Sequence, residues 1–263
     1  MKLSAPVHEL RSRAKTLRQQ QGITHTEALD IIARQEGYSA WSLLISRVSD
    51  TTPSSLADVQ HCLQPGELIL LGARPQMGKT LFACSLAASV LQEADQQVWI
   101  FSLAETVQGL QHRILANLPD KTLPANCIID CDDAICADYI IAKVNNTIRQ
   151  GDLILIDYLQ ILDEVRTKPS LQIQVEKLRT FARNTGCIMV FIAQIDRKVL
   201  NRESVIPTRR DVRLPNPLDL NLFDRALLLH RNSQSPADIE VLMEGTAAHR
   251  FTCRHDAGTH RVY

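Results

Sequence analysis

Two hydrophobic periodicities divide the chain. Up to about residue 48 the apolar positions recur at helical spacing; from about residue 66 they gather into short, nearly continuous runs separated by helical segments. In the first stretch Val7, Leu10, Ala14 and Leu17 mark one helix, ended by Gln21-Gly22. Thr24 and Glu27 have capping-box spacing, and Ala28, Leu29, Ile31 and Ile32 follow as the apolar face of a second helix closed at Gly37. Ser39 is placed to cap a third helix carrying Trp41, Leu43 and Leu44. Ser49 to Ser55 has the composition of a linker. The expected organisation is a small helical module at 1–48, a linker at 49–58 and one larger domain at 59–263.

The larger domain reads as β-rich runs, ELILLG, VWIFSL, CIID, LILID, CIMVFIAQ and RALLLH. SLAASVL, TVQGLQHRILANL, ADYIIAKVNNTI and LQIQVEKLRTFARN lie between the first five. Alternating strands and helices with strands apolar on both faces predict an α/β fold with a mostly parallel sheet covered on both sides. After His230 the helices stop, and ADIEVLM, RFTCRH and THRVY read as short antiparallel strands.

Charge narrows the function classes little. Lys and Arg total 29, as do Asp and Glu, so no global basic footprint marks a nucleic-acid binder, although a local loop is still open. The first helix is basic, with Lys2, Arg11, Arg13, Lys15 and Arg18 against Glu9; this pattern serves a solvated face or a nucleic-acid contact. Seven cysteines without a regular framework fit reduced thiols. The start lacks the apolar core of a signal peptide, and no apolar stretch reaches the roughly 18 residues of a membrane span. A cytoplasmic protein without membrane partners is expected.

The chemistry begins after ELILLG. Ala73 to Leu81 reads Ala-Arg74-Pro75-Gln76-Met77-Gly78-Lys79-Thr80-Leu81. The phosphate-loop pattern is G-x-x-x-x-G-K-[ST], and here Ala73 holds the first position with Gly72 one residue earlier. Backbone NH groups of such a loop point at phosphate oxygens from a helix N-terminus that favours anions. Lys79 is placed for the β- and γ-phosphates of ATP and Thr80 for Mg²⁺. A second carboxylate for the metal is expected at the end of a buried strand, and Asp157 closes LILID.

The runs LQPGELILLGARPQMGKTLFACSLA, IFSLAETVQGLQHRILANL, LILIDYLQIL and FIAQIDR resemble the RecA-like motor domain of the DnaB family of replicative helicases, in family order over roughly residues 55–243. The Ala73 form of the loop is typical of that family. The resemblance implies a RecA-like fold and Mg·ATP as cofactor. It matches Gln194 to the residue that senses the γ-phosphate and relays to DNA-contacting loops. It also implies single-stranded DNA or a replication protein as partner, and a homo-oligomer. Residues 3–48 are unlike the family's larger N-terminal domain and are more similar to a short helical module of some plasmid- and phage-associated proteins.

The chain departs from the family pattern in three places. The general base is a Glu in a run such as FSLEM, whereas Phe101-Ser102-Leu103-Ala104-Glu105 puts Ala104 at that position. Glu105, the candidate catalytic carboxylate, comes one residue late: a bulge would turn it inward, or it caps the following helix. Relatives carry a Lys and an Arg before a Gly near the C-terminus that reach into a neighbouring subunit; Leu242-Met243-Glu244-Gly245 keeps only the Gly. Third, Arg213-Leu214-Pro215-Asn216-Pro217 replaces a Ser/Gly-rich DNA-facing loop. Around it Arg197, Lys198, Arg202, Arg209, Arg210 and Arg213 outnumber Asp196, Glu203 and Asp211, as a phosphate-backbone contact or a solvated loop would have them. Cys127, Cys131 and Cys136 invite a metal by spacing, but they fall around a strand and a helix start, which argues against a zinc site.

Overall fold

A computed structural model of the chain describes residues 4, 7–49, 53, 55–92, 96–163, 168–201, 206–214, 216–232, 234–245, 248–259 and 261–263. Lys2, Arg202, Glu203, Pro215, residues 164–167 of the loop after Asp157 and residues 50–52 and 54 of the expected linker lie outside them. The chain divides into two compact units, Met1–Thr52 and Pro53–Tyr263.

The first unit holds three helices, α1 (Val7–Gln21), α2 (His25–Gln35) and α3 (Trp41–Ser49). Leu10, Ala14, Ala28, Ile32, Ala33, Leu44 and Ile45 are its buried apolar residues. The capping box forms: Glu27 N donates to Thr24 Oγ1 at 3.3 Å, and Thr24 N to Glu27 Oε2 at 2.9 Å. At α3 the structure differs from the expectation of a Ser39 cap. Trp41 N donates to Asp30 Oδ1 at 2.8 Å, so a carboxylate from α2 serves the first amide of α3 and ties the two helices together.

In the second unit the first helix, α4 (Leu56–Cys62), begins inside the segment expected as linker. Ser55 caps it by accepting from Asp58 N at 3.2 Å, and Leu56, Val59 and Cys62 turn inward. Among the described residues nine strands follow: β1 (Leu68–Ala73), β2 (Val98–Ser102), β3 (Cys127–Asp130), β4 (Leu153–Asp157), β5 (Ile188–Gln194), β6 (Arg225–Arg231), β7 (Asp238–Glu244), β8 (Ala248–Asp256) and β9 (Arg261–Val262). Their order in the sheet is β3-β2-β4-β5-β1-β6-β7-β8-β9. Pairing is parallel from β3 to β6 and antiparallel from β6 to β9.

Both faces are covered. Ile69, Leu71 and Ala73 of β1 join the core that includes α4, α5 (Lys79–Leu91) and α6 (Val107–Asn117). Leu68 and Leu70 join the core that includes α7 (Ala137–Val144) and α8 (Leu171–Thr185). Strand alternation sends successive residues to opposite faces, so a strand buried on both reads as an unbroken apolar run. Helix α5 is buried almost all round from Leu81 to Leu91, which explains why its sequence shows little amphipathic pattern.

Candidate functional site

The site lies at the carboxyl ends of the parallel strands, where β1 stops and the chain turns into α5. Ala73 is fully buried in β1 opposite Gln194, so the residue at the first loop position is a strand residue and needs no glycine. Gly72 is the close-packed position: a Cβ there would sit 2.9 Å from Leu228 Cδ2 and 3.1 Å from Ile195 Cδ1. The turn itself uses left-handed backbone at Gln76 (φ 64°) and at Gly78 (φ 92°). Met77 N donates to Arg74 O at 3.3 Å and Phe82 N to Gly78 O at 2.8 Å, which fixes Arg74 to Gly78 as a closed loop leading into α5.

Lys79 and Thr80 open the helix. Lys79 Nζ donates back to Arg74 O at 3.3 Å, across the mouth of its own loop. Burial lowers the Lys79 pKa and the Asp157 carboxylate draws it back up. Thr80 Oγ1 donates to Asp157 Oδ2 at 3.1 Å. Asp157 is 3 % exposed, and burial pushes its pKa up to about 6; the Thr80 hydrogen bond, Lys79 and Arg113 lower it, and Glu105 raises it. The peptide from Asp157 to Tyr158 is cis. Thr80 and Asp157 are thus a hydroxyl and a buried carboxylate in contact, beside a cation and a ring of helix N-terminal amides. That donor set fits a hard divalent cation such as Mg²⁺ bound with a polyphosphate.

Glu105 takes neither of the two orientations expected from the sequence. Ser102, fully buried at the end of β2, accepts from Ala104 N at 3.1 Å and Glu105 N at 3.4 Å, which turns the chain tightly without a bulge. Thr106 caps α6, accepting from Gly109 N at 3.2 Å. The Glu105 carboxylate is held instead by Arg113 of α6, Nε to Oε2 at 2.8 Å and Nη2 to Oε1 at 2.9 Å. Arg113 was not legible as a site residue: it stands eight residues from Glu105 on the face of α6 that the tertiary fold brings beside Asp157.

Gln194 ends β5, half-buried, and its main chain continues into the basic segment. Gln194 O accepts from Arg213 N at 2.7 Å, Asp196 N donates to Asp211 O at 2.8 Å, and Ile195 bridges Val212. Gln160, three residues past Asp157, donates through Nε2 to Arg213 O at 2.8 Å. The basic residues then separate by role. Arg197, Lys198, Arg210 and Arg213 are exposed. Arg209 turns inward, donating to Phe223 O at 2.8 Å, Leu220 O at 3.3 Å and Glu244 Oε2 at 3.1 Å. Glu244, in the run where the family resemblance leads one to expect a basic pair, is therefore the intramolecular partner of Arg209.

On the other side of β1, the end of β6 reaches the loop. His230 is buried, and its Nδ1 lies 3.3 Å from Arg74 Nη2. An arginine only donates, so Nδ1 accepts and the ring proton sits on Nε2. Burial, then the Arg74 charge, push the His230 pKa down. Neither His230 nor its neighbour Arg231 was singled out from sequence, because nothing in RALLLHR states which strand it will lie beside.

Comparison with known proteins bears on the family and the fold. The family model described as DnaB-like helicase C terminal domain matches residues 50–124 and 119–238. A model described as Glyoxalase superfamily protein matches residues 1–66. Similar curated proteins include the replicative DNA helicase DnaB of Buchnera aphidicola subsp. Schizaphis graminum, 27% identical over 69% of this chain and 47% of that protein. The replicative DNA helicase DnaB of Geobacillus stearothermophilus is 28% identical over 67% and 46%. The chain thus spans about half the length of the curated relatives it matches. Among solved structures, a DnaB-like replicative helicase studied with its primase interactions aligns with a TM-score of 0.67 at 17% identity, covering 97% of this chain and 76% of the other. A solved ATPase domain aligns with a TM-score of 0.67 at 19% identity, covering 84% and 95%. The fold is that of RecA-like DnaB ATPase domains, and the chain belongs to the DnaB-like helicase C-terminal domain family.

Proposed function

We propose that the protein binds Mg·ATP and acts on or near DNA as a helicase- or translocase-type motor domain in which hydrolysis is weak. The observation that carries the reading is the Thr80–Asp157 contact beside the closed Arg74–Gly78 loop, with Lys79 folded over its mouth. On this reading Arg74 to Leu81 hold the nucleotide phosphates, Thr80 and Asp157 hold the metal, and Gln194 senses the γ-phosphate. Mg²⁺ in this place would neutralise phosphate charge. The four exposed cations on the segment hydrogen-bonded to Gln194 support a contact with a single strand, since backbone phosphates are bound by clustered Lys and Arg.

A second reading, a nucleotide-gated adaptor or regulator without productive turnover, is favoured by a separate observation. Glu105, the acidic side chain one residue past the expected place of a general base, is engaged twice by Arg113, and Glu244 is engaged by Arg209. Steady-state ATPase with and without single-stranded DNA separates the two. Stimulation by DNA supports the motor. Tight ATP binding with turnover near background and no stimulation supports the adaptor. Absence of ATP binding overturns both.

A further inference from the structure

The phosphate loop leaves the sheet from β1, and Asp157 stands two strands away on β4, beyond β5. The strand on the opposite side of β1 is β6, and its last residue, Arg231, lies against the loop. A Cβ placed on Gly78 would be 3.1 Å from Arg231 Nη2, 3.7 Å from Cζ and 3.8 Å from Nε. The guanidinium therefore lies against Gly78, where a Cβ would press on it and where the left-handed backbone (φ 92°) already favours glycine. Among the described residues, Nε and Nη2 of Arg231 are buried without a hydrogen-bond partner.

Two other inward arginines of the domain differ. Arg225 donates through Nε to both Glu67 oxygens, at 3.0 and 2.8 Å, and Arg209 has several acceptors. Asp256, which borders the same open cleft of about 420 Å³ as Arg231, spends its carboxylate on Gly258 N and Thr259. Arginine keeps its charge throughout the physiological range. A cation half out of water without a counter-charge weakens the fold unless an anion arrives to meet it. The nearest anion-binding element is the loop that it covers.

We propose that Arg231 binds the phosphate chain of the nucleotide in cis, from the β6 side, opposite the Thr80–Asp157 metal position. The inference rests on the nucleotide reading of the loop and extends it by one residue that lies outside the motif. It also gives the site a further cation beside Lys79, where Leu242 to Glu244 offers none.

The test uses the full chain and two probes, Mg·ADP and magnesium tripolyphosphate, which carries phosphates without a nucleoside. In calorimetric titrations Arg231→Met should weaken both by about tenfold or more, the loss expected for one charged hydrogen bond. Arg231→Lys should recover part of it. The melting temperature of ligand-free Arg231→Met should equal or exceed that of the wild type, since no partner is lost. Lys79→Ala is run beside them. If Lys79→Ala binds both probes as well as wild type, the nucleotide reading itself fails. If Lys79→Ala weakens both and Arg231→Met neither, only the Arg231 proposal is overturned. Loss of ADP alone would move Arg231 to the nucleoside and overturn the phosphate contact. A lowered melting temperature with no recovery in Arg231→Lys would make its role structural and overturn the proposal too.

Discussion

Arg113 grips the Glu105 carboxylate at two points, 2.8 and 2.9 Å, and both charges lie within electrostatic reach of Asp157. A carboxylate held at both oxygens is turned toward Arg113, not free to meet an attacking water. The pair is partly exposed, so its contribution to folding is modest.

Glu105→Gln should accordingly leave ATP turnover within about twofold of wild type and cost about 1 kcal/mol or less of stability. Ala104→Glu puts an acidic side chain at the position where the resemblance places the general base and should raise turnover by about tenfold or more, given the ~10²–10⁴ a general base supplies. Steady-state ATPase and urea midpoints read both. Abolished turnover in Glu105→Gln would mean that the Arg113 pair opens during the cycle and Glu105 is the base after all.

Lys79→Ala removes the one amine that spans the loop mouth. The loss of a charged hydrogen bond, roughly 1.5–3 kcal/mol, should weaken Mg·ATP binding about tenfold to a hundredfold in a calorimetric titration. Unchanged affinity would place the nucleotide elsewhere.

His230 makes part of the stability depend on pH. Its pKa lies below the ordinary 6.5, so as pH falls the unfolded chain takes up the proton first. The His230 contribution is whole above 6.5 and is lost as pH drops through the folded value. Asp157 runs the other way: raised from 3.8 to about 6, its contribution is whole below 3.8 and lost as pH rises through 6. The check is therefore the difference between proteins. His230→Phe should lose less stability than wild type between pH 7 and 5.5, and an identical slope of urea midpoint against pH would refute it.

Arg209 and Arg210 are adjacent and should behave oppositely. Arg209→Ala leaves Phe223 O and Glu244 without their donor and should cost roughly 2–3 kcal/mol, read as a lower denaturation midpoint. Arg210 is exposed, and Arg210→Ala should change stability by less than ~0.5 kcal/mol while weakening any single-stranded DNA binding and its salt dependence. Equal destabilisation of the two would show that their separation is misjudged.

The residues themselves determined most of what depends on local pattern, the Ser39 cap and the start of α4 apart. The six apolar runs became β1 to β6, the terminal runs became the antiparallel β7 to β9, and Thr24 with Glu27 formed its capping box, because burial on two faces and capping both have short-range signatures. The loop from Arg74 to Leu81 and the strand-end Asp157 were legible for the same reason. Tertiary structure decided which side chains meet across elements. That Asp30 serves α3, that Arg113 takes Glu105, that Arg209 takes Glu244, and that His230 and Arg231 border the phosphate loop all follow from strand order and helix placement. Chain spacing does not encode these meetings. Electrostatic and hydrogen-bonding partners are set by distance in space, and β6 lies beside β1 although residues 74–224 separate the two strands in the chain.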